Sequence, residues 1–278
     1  TKENARLDLV MNSWQATALN TAPDSENQIH SDELAKEYGF KGGLVPGVTV
    51  SAYLLHPVIE SLGKSWLERG YANCKITSPL YDGETFEVLS EDFKEGRINT
   101  FLKNQDGKII ANAESKILNG SIPEPEYLGN PFVQDNYEAP LASLEVWERL
   151  KKEGCKAFKF HWGGDKPLIY LSDEKKLPKL LQPKEIGYAN LCFLLGCSNW
   201  ILAGNAFMNP WVHLQTKSQN YRPVPMNTTL IAEMSVQDFY EKKGHEFIDV
   251  NVNLFEDKSL HCCMSINLLA IFKLRTNN

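Results

Sequence analysis

The sequence predicts an α+β fold made of two copies of one unit, each an antiparallel sheet wrapped on a long apolar helix. Three observations carry this. The halves of the 278-residue chain match in four segments in the same order. Each half holds one long apolar stretch with helical spacing. Each stretch is followed by alternating segments of β-branched and aromatic residues.

The matched segments come first. "IHSDELAK" at 29–36 sits on "YLSDEKKL" at 170–177, "GVTVSAYLL" at 47–55 on "GYANLCFLL" at 187–195, and "SPLYDGETFEV" at 78–88 on "RPVPMNTTLIA" at 222–232. "NTFLKNQDGKIIANAESKIL" then sits on "DVNVNLFEDKSLHCCMSINLL". The apolar stretches predict helices over 47–62 and 186–202. In the first, Val48, Val50, Leu54, Leu55, Val58, Ile59 and Leu62 cover most of the circumference, so this helix is expected to be buried. "TFEVLSEDF", "RINTFLKN" and "KIIANAESKIL" read as strands; "NQDG" at 104–107 closes a hairpin, and "FEDKS" does so in the second copy. The boundaries expected are a first repeat at 1–118, a Pro-, Gly- and Asn-rich linker at 119–140 and a second repeat at 141–278.

Composition narrows the function. Hydrophobic residues make up 42% and charged residues 23%, ordinary for a globular protein with a sizeable core. A net charge of −6 without an unmixed basic run argues against nucleic acid as a partner. No stretch is long and apolar enough to span a bilayer. The opening "TKENARLDLV" lacks a secretory pattern, and the six cysteines form no CxxC pair and read as buried thiols. Both point to a cytoplasmic, reducing setting, and Asn119 and Asn227 then head chance sequons. His56 and His213 lie in apolar stretches and read as core or interface residues. His161 heads the second copy outside the matched loop. His245 and His261 have no metal-ligand spacing to Cys262 and Cys263, so no metal is expected.

The copies differ in one polar loop, "DSENQIHSDELAKEYGFKGGLVPGV" at 24–48. Leu171 stands opposite His30, and "LLQPKEIG" opposite the glycine-rich "GFKGGLVPG", so a single site is expected on the first copy. Two readings of His30 stay open: an acid/base with an unperturbed pKa near 6.5, or a polar residue ahead of a helix capped by Ser31. Asn27, Asp24, Ser25 and Glu26 are the neighbouring polar groups. Gly47 and Val48 open the buried helix, where unpaired N–H groups carry partial positive charge.

This loop resembles the signature of the MaoC-like acyl dehydratases, or (R)-specific enoyl-CoA hydratases, of the hotdog superfamily. Asn27, His30, Asp32, Ala35, Gly39-Phe40 and Gly47 fit its pattern, and the two-copy layout resembles the double-hotdog members. The sequence departs at Ser25, where the family has a catalytic aspartate, at Gln28, where it has proline, and at Pro46, where a histidine precedes the helix glycine. The resemblance implies a double hotdog with reversible hydration of an enoyl thioester. His30 would be the acid/base, Asn27, Asp24 or Ser25 its helper, and Gly47 and Val48 would bind substrate. It implies no cofactor. The partner is a small acyl substrate, linked to coenzyme A or a carrier, and exposed sheet edges leave room for a homodimer. Two rivals remain: a binding protein that has lost catalysis, and a related lyase or isomerase on a substrate without coenzyme A. A pocket mouth free of basic residues would favour the last.

Overall fold

The computed structural model describes residues 11–93 and 96–276; the opening segment 1–10 lies outside them. Among the described residues ten antiparallel strands form one sheet, with helices packed on one face. In chain order the elements are β1 (Met11–Thr17), α1 (Asp32–Glu37), α2 (Gly47–Arg69), β2 (Gly70–Ile76), β3 (Thr85–Phe93), β4 (Arg97–Lys103), β5 (Ile109–Ile117), α3 (Leu144–Glu153), β6 (Phe158–Trp162), α4 (Leu191–Asn205), β7 (Val212–Asn220), β8 (Thr228–Lys242), β9 (His245–Glu256) and β10 (Cys262–Lys273).

The strand order is β1-β3-β4-β5-β2-β7-β10-β9-β8-β6. Its two halves mirror each other, so the chain is a double hotdog. The halves join where β2 pairs with β7, Cys74 lying opposite Thr216. The turn at 104–107 and the one before Cys262 fall between strands as their sequences imply. Lys243 and Gly244, both with positive φ, form a further tight hairpin.

Helix α2 is apolar nearly all round because it is wrapped by sheet on one side and packed on α4 on the other. Tyr53, Leu54, Leu55 and Val58 are fully buried, each of the aliphatic ones worth about 1.5–3 kcal/mol. Gly63 breaks the helix with φ 59°, and the part beyond it, with Trp66 and Leu67 buried, carries α2 to Arg69. All six cysteines are free and buried, as read from their setting. Among the described residues no helix is long and apolar enough to cross a membrane.

Two expectations need correction. The second long helix starts at Leu191, not 186, and runs to Asn205. Asn190 caps it, accepting from Phe193 N at 3.1 Å, while Gly187 lies ahead of the helix at φ 70°. Matching Gly187 to Gly47 therefore began the helix five residues early. Leu171 is also not the counterpart of His30. In the first copy Leu44 N donates to Ile29 O and Val45 N to Leu80 O; in the second, Tyr188 N donates to Leu180 O and Ala189 N to Val224 O. This equivalence puts Leu181 in the place of His30, in a loop seven residues shorter that lacks α1. Leu181 is fully buried, so the place is apolar as expected, though by a different residue.

Candidate functional site

The loop after β1 is tied to the start of α2 by its own polar groups. A short 3-10 turn, Gln28–His30, precedes α1. Asp32 Oδ1 accepts from Gly43 N at 2.8 Å. Gly43 lies so close to this turn that a Cβ there would sit 2.3 Å from the His30 carbonyl oxygen, which explains the second glycine of "KGG". Asn20 Nδ2 donates to the same carbonyl at 3.0 Å. Ser31 precedes α1 as expected but makes no side-chain cap.

His30 is thereby aimed. Its Nδ1 lies 2.6 Å from Leu44 O. A carbonyl oxygen only accepts, so Nδ1 carries the proton and Nε2 is left as a lone-pair base. Burial lowers the pKa below 6.5, opposed in part by the Leu44 bond. The ring is thus neutral at pH 7.

Two cavities meet at this residue. The outer one, about 600 Å³, runs between the loop 21–27 and the face of α4 that carries Cys192, Gly196, Asn199 and Trp200. The inner one, about 250 Å³, is walled by Ile29, Leu44, Val50, Leu80 and Ile271. Asn27, His30, Asn199 and Trp211 line both. The expectation of a site built on the first copy alone is therefore corrected: the loop comes from the first copy and the facing helix from the second.

The sequence candidates divide. Asn27 is buried, but its amide is bound elsewhere: Nδ2 donates to Trp211 O at 2.9 Å and Oδ1 accepts from Trp211 N at 3.0 Å. It also accepts from Ile29 N at 3.4 Å. The side chain clamps the loop to the second copy, and it makes no hydrogen bond to His30. Asn27→Ala would leave a buried backbone N–H and C=O unpaired, each costing about 1–3 kcal/mol. A lowered urea midpoint that outweighs any change in KM is the expected result. Ser25 Oγ accepts from Asn27 N at 3.1 Å. Asp24, Ser25 and Glu26 are exposed and line the outer cavity. Among the described residues none of the three hydrogen-bonds to His30, so no carboxylate takes the place of the motif aspartate beside the imidazole.

Gly47 and Val48 open α2 under Pro46, which offers no side-chain cap. Thr49 N and Val50 N both donate to Pro46 O, which leaves the N–H groups of Gly47 and Val48 as the unpaired donors of the first turn. In the second copy the same helix end is closed by Asn190. Val48 lines the outer cavity and Gly47 the inner one.

Sequence reasoning missed His213 as part of this site. It is buried as expected of a core histidine. Its ring, however, lies against Gly47, where an added Cβ would meet its Cδ2, Cγ and Cβ at 2.7–2.9 Å. Nδ1 donates to Asn199 Oδ1 at 2.9 Å. Burial, with His30 nearby, lowers its pKa to about 3. Asn199 Oδ1 is thus taken, and its Nδ2 remains a donor in the wall shared by both cavities. Gly47→Ala is expected to overpack this junction at a cost of about 1–3 kcal/mol. Adding His213→Ala should recover much of that loss in a chemical-denaturation assay.

Comparison with known proteins extends the picture at the level of fold. No family model and no curated protein matches the chain. A solved structure named as a MaoC domain dehydratase from Chloroflexus aurantiacus is similar at TM-score 0.60 and 10% identity, covering 95% of each chain. A conserved hypothetical protein of Mycobacterium tuberculosis with a double hotdog fold is similar at TM-score 0.56 and 10% identity, covering 94% of this chain and 95% of its own. The dehydratase domain of PpsC from Mycobacterium tuberculosis, solved with C12:1-CoA, is similar at TM-score 0.51 and 10% identity, over 94% and 93%. Structures named as thioesterases share the fold as well.

Proposed function

We propose that the chain is a hydro-lyase that adds water reversibly across the double bond of an enoyl thioester, with His30 as its acid/base. The observation that carries this is the fixed tautomer of His30. The Leu44 carbonyl holds the Nδ1 proton, and Nε2 is left as the base of a residue that lines both cavities. The uncapped end of α2 lies beside it.

A single imidazole suffices for the chemistry. With the thioester carbonyl on the Gly47 and Val48 N–H groups, negative charge builds on its oxygen as water attacks the β-carbon. His30 Nε2 takes a proton from that water, the C–O bond forms, and the electron pair of the double bond moves toward the carbonyl. The imidazolium returns the proton to the α-carbon. Water is consumed and the imidazole is restored. Asn199 Nδ2 faces the same space and would hold the water or the product hydroxyl. Dehydration is the reverse.

Hydration needs the neutral imidazole, so kcat/KM should lose its acid limb only below the ordinary histidine pKa of 6.5, because burial lowers that of His30. A titration with its midpoint above 6.5 would contradict this assignment. The direct experiment follows loss of enone absorbance with short and medium enoyl thioesters and identifies the 3-hydroxyacyl product.

One observation favours a second reading, a binding protein without turnover. Among the described residues no carboxylate hydrogen-bonds to His30 or His213, whereas the MaoC-like pattern pairs its histidine with an aspartate. Saturable binding of enoyl and acyl thioesters without hydration of any would select it.

A further inference from the structure

The mouth of the outer cavity carries information about the part of the substrate that does not react. Asp24 and Glu26, both exposed, stand on one side. Trp200 and Phe207, 41% and 40% exposed, stand on the other. Among the described residues, no lysine or arginine lines either cavity. The chain as a whole carries −6.

A coenzyme A thioester would leave its phosphates at this mouth. A cleft with walls of one sign focuses its field, so a polyanion meets repulsion on approach and has no cation to pair with once there. The aromatic faces of Trp200 and Phe207 suit a flat or apolar uncharged group. The inner chamber, lined by Val45, Val50, Leu80 and Ile271 with Thr77, Ser78 and His245 among them, suits a short acyl tail.

We infer that the substrate is an unsaturated acyl compound whose handle is small and uncharged, not coenzyme A. This rests on the hydro-lyase reading for the reacting end. The mouth itself is independent of whether His30 turns anything over.

The test therefore reads binding and turnover separately on the whole protein. Dissociation constants are measured by calorimetry for butyryl-N-acetylcysteamine and butyryl-CoA, which share the acyl group and cannot be hydrated. At about 0.01 M salt, where screening acts only beyond about 30 Å, the neutral ester should bind at least about tenfold more tightly. The gap should shrink toward about 1 M salt. In the double variant Asp24→Lys, Glu26→Lys the coenzyme A ester should gain about tenfold or more. The quantity read is the ratio of the two affinities, which should move by about tenfold or more toward the coenzyme A ester. Equal or tighter binding of butyryl-CoA to the unsubstituted protein overturns the inference, as does failure of the neutral ester to bind. The crotonyl forms of both esters test the other claim. If neither is hydrated while the butyryl esters keep the predicted order, the hydro-lyase reading falls and the uncharged handle stands.

Discussion

Replacing His30 by alanine is expected to slow hydration of the proper enoyl substrate by about 10²-fold or more, the usual contribution of a positioned acid/base. Stability should fall as well. The Nδ1 proton satisfies Leu44 O, and an orphaned carbonyl in this half-buried place costs about 1–3 kcal/mol. At about 2–4 °C per kcal/mol for a chain of this class, the melting temperature should fall by several degrees. His30→Asn separates the two effects. Its amide nitrogen reaches roughly where Nδ1 stood and can donate to Leu44 O, but no base replaces Nε2. This variant should regain most of the lost stability and none of the activity. Full activity in His30→Ala would end the acid/base reading and leave the residue as a pin between the loop and the start of α2.

The fold was legible because its signals are local. Strands of period two, a helix buried all round and a turn such as "NQDG" are written in neighbouring residues, and the repeat wrote them twice. The site was half legible. His30 and Gly47 stood out because one loop holds both. The meaning of Asn27 did not, because its partner is the backbone of Trp211 on the other copy, and nothing in the loop names that partner. His213 was hidden for the same reason. In an apolar strand it reads as core, and only the β2–β7 junction brings its ring against Gly47. Leu181 was masked by a length change. Once the second copy lost α1, "YLSDEKKL" could align with "IHSDELAK" by resemblance while its hydrogen bonds followed another register.

Acid should unfold this protein early, and its buried histidines supply the reason. His213 is held by Asn199 against Gly47, and its pKa is lowered to about 3 by burial and by nearby His30. His56 stacks on Trp14 with ring centroids 3.8 Å apart and hydrogen-bonds Tyr170 Oη at 3.0 Å; burial lowers its pKa to about 4. His30 is lowered as well. In the unfolded chain all three return to about 6.5. Below that pH the unfolded state binds protons that the native state refuses, so stability is full above 6.5 and declines as pH falls. The loss continues to about pH 4 for His56 and about pH 3 for His213. Each contributes up to about 1.4 kcal/mol per pH unit, so these two alone remove on the order of 4 kcal/mol by pH 5. Carboxylates have barely begun to titrate there, and a typical domain has only about 5–15 kcal/mol in all. Urea unfolding at pH 7, 6 and 5 should show this slope. His213→Asn, which keeps a donor for Asn199 Oδ1 but cannot be protonated, should be less stable than the unsubstituted protein at pH 7 and lose less between pH 7 and 5. An unfolding free energy that is flat over that range, or a slope that His213→Asn leaves unchanged, would show that the ring accepts its proton in the folded state and does not stand dry against the start of α2.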